Sequence, residues 1–131
     1  MSRVQALSAV LWVGFGGFLG AAGRYLLSLI PTQGEFPLMT FLANLMGAAL
    51  IGAVVELSGR LPIPTQGVLF LKTGVCGGFT TFSTFSLETV TLMERGRLGT
   101  AGLYAASSVF GCLIGVLLGR LAARWVLSAL R

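Results

Sequence analysis

Gly77-Gly78-Phe79-Thr80-Thr81-Phe82-Ser83-Thr84-Phe85-Ser86 lies in the middle of a segment otherwise long and apolar enough to cross a membrane. A lipid-facing helix has little use for two adjacent glycines, five hydroxyls and three phenylalanines in ten residues. Polar or non-helical backbone at membrane depth is tolerated only where protein or a water-filled cavity covers it, because an unsatisfied amide in hydrocarbon costs several kcal/mol. The stretch is therefore the first candidate for the working part of the chain.

The membrane setting follows from composition. Of 131 residues, 55% are hydrophobic and 10% charged, and the mean hydropathy is +0.90. That leaves too little polar surface to clothe a soluble domain. Charged and turn residues divide the chain into four apolar windows, at about 7–30, 38–57, 67–93 and 100–122. Each approximates the roughly 20 residues that span about 30 Å of hydrocarbon. The expectation is an all-α membrane protein of four transmembrane helices forming one integral membrane domain over residues 1–131. Pro31, Gly34 and Pro37, then Ser58, Gly59, Pro62 and Pro64, then Gly96 and Gly99 mark short connections, which predict antiparallel neighbours. The first window continues past the length of a signal-peptide core and includes Arg24, so it reads as a retained helix.

Four spans put both termini on one side. That side receives Arg3, Arg60, Lys72, Arg120, Arg124 and Arg131, and the other Arg24, Arg95 and Arg97, a six-to-three bias in basic residues. The net charge of +5 is dispersed over span ends, where long basic side chains reach toward lipid headgroups. This points to contact with membrane lipid and away from nucleic acid. The chain has no histidine, and Cys76 and Cys112 fall inside spans with no metal-ligand spacing. Hydroxyls without a nearby base do not make a hydrolase, so no enzyme activity is expected.

Small residues recur at close-packing intervals: Ser107, Gly111, Gly115 and Gly119 in the fourth window, Gly16 and Gly20 in the first, Ala43 with Gly47 and Ala48 with Gly52 in the second. So many smooth faces suggest oligomerisation beyond packing within one chain. Asn44 is an amide well inside a span. It serves either as interhelical glue or as a pair of N–H donors to an anion shedding its water. Thr80, Thr81, Ser83, Thr84, Tyr104, Ser107 and Ser108 offer further neutral donors. Phe79, Phe82 and Phe85 recur every three residues, each offset by about 60° on a helix, and the positive edges of such rings attract anions without a formal charge. Gly77 and Gly78 followed by β-branched Thr80 and Thr81 disfavour a continuous helix. Either the helix breaks and frees carbonyls for a monovalent cation, or it stays kinked with the glycines used for packing.

The segment Gly74-Val75-Cys76-Gly77-Gly78-Phe79-Thr80-Thr81-Phe82-Ser83-Thr84-Phe85-Ser86 resembles the signature of the bacterial fluoride channels, the Fluc or CrcB family. Gly20-Ala21-Ala22-Gly23-Arg24-Tyr25, Ala43-Asn44-Leu45-Met46-Gly47 and the Glu88 after the signature extend the similarity over essentially the whole chain. The resemblance implies a third helix broken near its middle and an antiparallel, dual-topology homodimer with two fluoride pores. It further implies passive, fluoride-selective export across the inner (plasma) membrane, lowering cytoplasmic fluoride. A structural sodium ion (Na+) would sit at the dimer interface, held by the backbone carbonyls of Gly77 and Thr80. Phe82 and Phe85 would present ring edges to fluoride, and Asn44 would donate to it. Ser83, Thr84, Tyr104 and Ser108 would supply hydroxyls along the path, with Arg24 near an aqueous vestibule. Two features stand apart: the basic bias of the two sides, and Cys112, a thiol one turn after Ser108 where a hydroxyl would prolong the polar track. Alternatives from other classes are a proton-coupled multidrug antiporter, which needs an intramembrane carboxylate and has only Glu56 and Glu88 to offer, and a non-transporting membrane subunit.

Overall fold

A computed structural model describes residues 3–130; Arg131, counted in the charge bias, lies outside them. Among the described residues the regular elements are all helical. They are α1 (Arg3–Ser28), α2 (Leu38–Ser58), α3 (Thr65–Val68), a π-helical stretch π1 (Leu69–Cys76), α4 (Gly77–Phe79), α5 (Phe82–Glu94) and α6 (Leu98–Ala129). Three of them, α1, α2 and α6, are long and apolar enough to cross a membrane. The chain is a multi-pass membrane protein, and its surface fits that setting. Val10, Leu11, Phe15 and Phe18 of α1 and Leu113, Ile114, Leu117 and Leu121 of α6 all face outward.

Over the third window, 67–93, the structure has three contiguous helical pieces over 65–79 and a fourth over 82–94, with the extended residues Thr80 and Thr81 between them. The fourth helix runs on to Ala129, past the expected end at 122. Arg120 and Arg124 do not stop a helix, because their stems lie along its side while their heads reach water.

Helix pairing departs from chain order. The short connections predicted that sequence neighbours would pack together, yet α2 packs chiefly on α6, and α1 on π1 and α4. Small residues decide the pairing. A Cβ at Gly119 would collide with the Ala49 carbonyl, and one at Gly52 with the Val116 carbonyl, so backbones of α2 and α6 meet directly. On the other side Gly16 lies against the Phe70 carbonyl and Gly20 against that of Val75, while Gly78 lies against the Gly17 carbonyl. Several of the small-residue faces thus serve packing within the chain. The α5–α6 turn closes on Gly96, whose φ of 73° favours glycine.

Candidate functional site

Local chemistry explains why the helix stops after Phe79. Thr80 caps the end twice, its N–H (3.0 Å) and its Oγ1 (2.9 Å) both donating to the Cys76 carbonyl. Thr80 (φ −81°, ψ 156°) and Thr81 (φ −151°, ψ 116°) are extended. Thr81 then starts α5 as its N-cap, its hydroxyl oxygen accepting from the Thr84 N–H at 3.2 Å. The same hydroxyl donates to Thr84 Oγ1 at 3.0 Å.

Asn44 supports the extended residues from α2. Its Nδ2 donates to the Thr81 carbonyl at 3.1 Å and its Oδ1 accepts from the Thr81 N–H at 2.7 Å. One side-chain amide therefore satisfies both backbone groups of a residue that has left helix geometry, in a place where each orphaned group costs several kcal/mol. Nδ2 carries a second N–H beyond the one given to Thr81. Arg24, from α1, donates through Nε to the Gly78 carbonyl at 3.2 Å.

The break leaves four carbonyls, those of Gly77, Gly78, Phe79 and Thr80, without their helical donors; Gly78 takes one from Arg24 instead, and two of the displaced donors have new partners. In a continuous helix the Thr81 N–H would bond the Gly77 carbonyl and the Thr84 N–H the Thr80 carbonyl. Here the first is given to Asn44 and the second to the Thr81 hydroxyl. Gly77 is exposed on the surface of the chain, with open space where a Cβ would be.

A cleft of about 300 Å³ runs beside the extended residues, lined by Asn44, Ala48, Thr80, Thr81, Phe82, Phe85, Ser108, Val109 and Cys112. No formal charge lines it. Phe82 and Phe85 stand with ring centroids 5.5 Å apart at 42°. The Phe82 ring is 77% exposed, and Phe85 backs onto Tyr104 at 5.2 Å. Ser108 is 6% exposed, and its Oγ has no hydrogen-bond partner within the described residues. A buried hydroxyl left unpaired costs about 1–3 kcal/mol, and this one borders the cleft.

Of the residues singled out from the sequence, Asn44, Phe82, Phe85 and Ser108 meet in the cleft together with Thr80. Four others lie around it. Ser83 is exposed, 3.3 Å from the Thr81 hydroxyl, and Thr84 serves the N-cap. Arg24 lies at the end of α4. Tyr104 is fully buried behind Phe85, its hydroxyl donating to Glu88 Oε2 at 2.7 Å.

Glu88 has a larger part in this region than its place after the signature suggests. It lies mid-way along α5 and accepts from two sides, since Thr40 Oγ1 donates to Oε1 at 2.9 Å. The signal that finds it is general: an ionisable group inside a span is a functional candidate by default. Thr40 gives no such signal, because an isolated threonine in a helix is common. Phe36, on the α1–α2 connection, covers this cluster with its ring 5.3 Å from that of Tyr104. Glu56, by contrast, sits at the end of α2 in ion pairs with Arg60 and Arg124.

The chain is thus a multi-pass helical membrane protein with an uncharged cleft of hydroxyls, an amide and aromatic rings. Comparison with known proteins gives the family. The profile of "CrcB-like protein, Camphor Resistance (CrcB)" matches residues 11–120. A protein of Methanocaldococcus jannaschii named "Fluoride-specific ion channel FluC" is 45% identical over 115 residues, 87% of this chain and 93% of that one. Proteins of the same name from Ruminiclostridium cellulolyticum (43% identical, 91% and 95% covered) and Chlorobium chlorochromatii (42%, 94% and 98%) are similar over comparable lengths. The chain belongs to the CrcB family, whose named relatives are ion channels and not enzymes.

Proposed function

We propose that this chain is the subunit of a fluoride-selective channel that exports fluoride passively across the inner membrane and so lowers its cytoplasmic concentration. The observation that carries the reading is the cleft. The Ser108 hydroxyl without a partner, the spare N–H of Asn44 and the rings of Phe82 and Phe85 meet there with no fixed charge. Fluoride is small and strongly hydrated, so a pore must replace its water with close donors and positive ring edges. It must also let the ion leave, which a neutral lining allows and a buried cation would prevent. The hydroxyls of Ser83 and Thr84 extend the donor supply beside the cleft, Tyr104 backs Phe85 with its hydroxyl held by Glu88, and Arg24 marks the approach. The names of the relatives supply the ion.

The functional unit is an antiparallel homodimer in which the segmented third span crosses the membrane. One subunit alone leaves the cleft open beside a Phe82 ring that is 77% exposed. The carbonyls of Gly77 and Thr80, deprived of helical donors, are hard oxygen ligands of the kind that hold sodium at broken helices. Two such carbonyls are too few for a cation, and a second copy brings the number to four. No cluster of His, Cys, Asp or Glu among the described residues competes for a metal role. The ion supplies positive charge that ties four carbonyl ends together.

The test is fluoride efflux from liposomes holding Phe82→Ile or Phe85→Ile protein. Either change removes the ring edge and keeps apolar bulk, and flux is expected to fall at least about ten-fold, the loss of little more than 1 kcal/mol of barrier stabilisation. Undiminished flux in both variants, with the protein intact by size-exclusion chromatography, would refute the ring-edge account.

A further inference from the structure

The last turns of α6 carry chemistry that ion passage does not use. Residues 98–119 hold no charge and measure about 33 Å at 1.5 Å per residue, enough to fill about 30 Å of hydrocarbon. Arg120 and Arg124 therefore fall at headgroup depth, level with Arg60 just past the end of α2. There Glu56 is shared. Its Oε1 accepts from Arg60 Nη2 at 2.8 Å and Nε at 2.9 Å, and from Arg124 Nε at 2.9 Å, while its Oε2 accepts from Arg124 Nη2 at 3.2 Å.

One carboxylate between two guanidiniums leaves a positive charge uncompensated. The Glu56 side chain is only 10% exposed, while those of Arg60 and Arg124 are 48% and 51% exposed. Each guanidinium has five N–H groups, and Glu56 engages only the Nε and Nη2 edge of each. A cleft of about 450 Å³ opens beside them, lined by Arg60, Arg124 and Ser128 together with Leu61, Leu127 and Leu130. It is thus cationic and hydroxylic on one part and aliphatic on the other.

We propose that this cleft binds the phosphate of an anionic phospholipid, the guanidiniums taking the headgroup and the leucines the first part of the acyl chains; the Ser128 hydroxyl, which donates to the Trp125 carbonyl at 2.7 Å, only borders the site. Guanidinium presents paired donors that match phosphate oxygens. The adjoining aliphatic wall and the depth of the site favour a lipid over a free ion. Glu56 tunes the site: it positions both arginines and offsets half of their charge.

Native mass spectrometry of the purified protein equilibrated with phosphatidylglycerol and phosphatidylcholine measures the preference directly. The unaltered chain is expected to retain phosphatidylglycerol selectively. Glu56→Gln removes the competing negative charge and keeps both guanidiniums, so the preference should rise about five-fold, the worth of one charge near a membrane surface. Arg60→Gln combined with Arg124→Gln should abolish it, while Arg95→Gln, outside the cleft, should leave it unchanged. The Glu56→Gln arm is a gain that misfolding cannot mimic. Equal retention of the two lipids by the unaltered and Glu56→Gln chains overturns the proposal. Displacement of the lipid by millimolar inorganic phosphate would assign the site to free phosphate and overturn it as a lipid site.

Discussion

Asn44 and Ser108 show how single side chains divide the labour of the cleft. Asn44 spends one donor and its acceptor on the Thr81 peptide, so the two readings of an intramembrane amide, glue and donor, are both open to one residue with an N–H to spare. Asn44→Ala would orphan the N–H and carbonyl of Thr81 together, at about 1–3 kcal/mol each. Thermal aggregation of the detergent-solubilised protein is expected to shift to clearly lower temperature. Ser108 differs, because its hydroxyl satisfies nothing within the described residues. Ser108→Ala should therefore leave thermal stability unchanged or slightly raised while fluoride flux falls. A loss of stability with full flux would make the serine a packing residue.

Pairing of elements depends on features that a chain-order reading does not contain. The apolar windows and turn residues located α1 and α2 to within a few residues, because hydropathy and helix breakers act locally. Which helix lies against which is decided by matching surfaces far apart in sequence, such as Gly119 on Ala49 and Gly20 on Val75. Glycine spacing shows that a close approach exists and is silent on the partner. Gly119→Ala places a methyl on the Ala49 carbonyl and should cost about 1–3 kcal/mol by overpacking, measurable as a lower unfolding temperature. The π-helical turn before the glycine pair left no trace in composition. The extended residues were more legible, since β-branched threonines after two glycines disfavour helix from either side. What could not be read was how the extended peptide is satisfied, because Asn44 and Thr81 lie 37 positions apart.

At the scale of the whole molecule, one segment carries both the uncharged cleft and the carbonyls of exposed Gly77 and half-buried Thr80 that have lost their helical donors. An added Cβ at Gly77 meets nothing within 4 Å in the isolated subunit, so Gly77→Ala should leave the subunit's helicity intact. At a centre shared by two copies the methyl would crowd the partner. The expected outcome is weakened dimerisation by single-molecule photobleaching in bilayers and lost sensitivity of flux to sodium. Unaltered dimers, with flux indifferent to exhaustive removal of sodium, would return Gly77 and Thr80 to a packing role. The central claim is passive, fluoride-selective conduction by this chain alone. The direct measurement is fluoride-electrode recording of efflux from liposomes containing only the purified protein, with potassium inside, chloride as the comparison ion and valinomycin added to carry the counter-charge. The account predicts rapid fluoride release on adding valinomycin, with chloride retained and no dependence on a proton gradient. Release of both anions alike, no release at all, or release only when a proton gradient is imposed would contradict it.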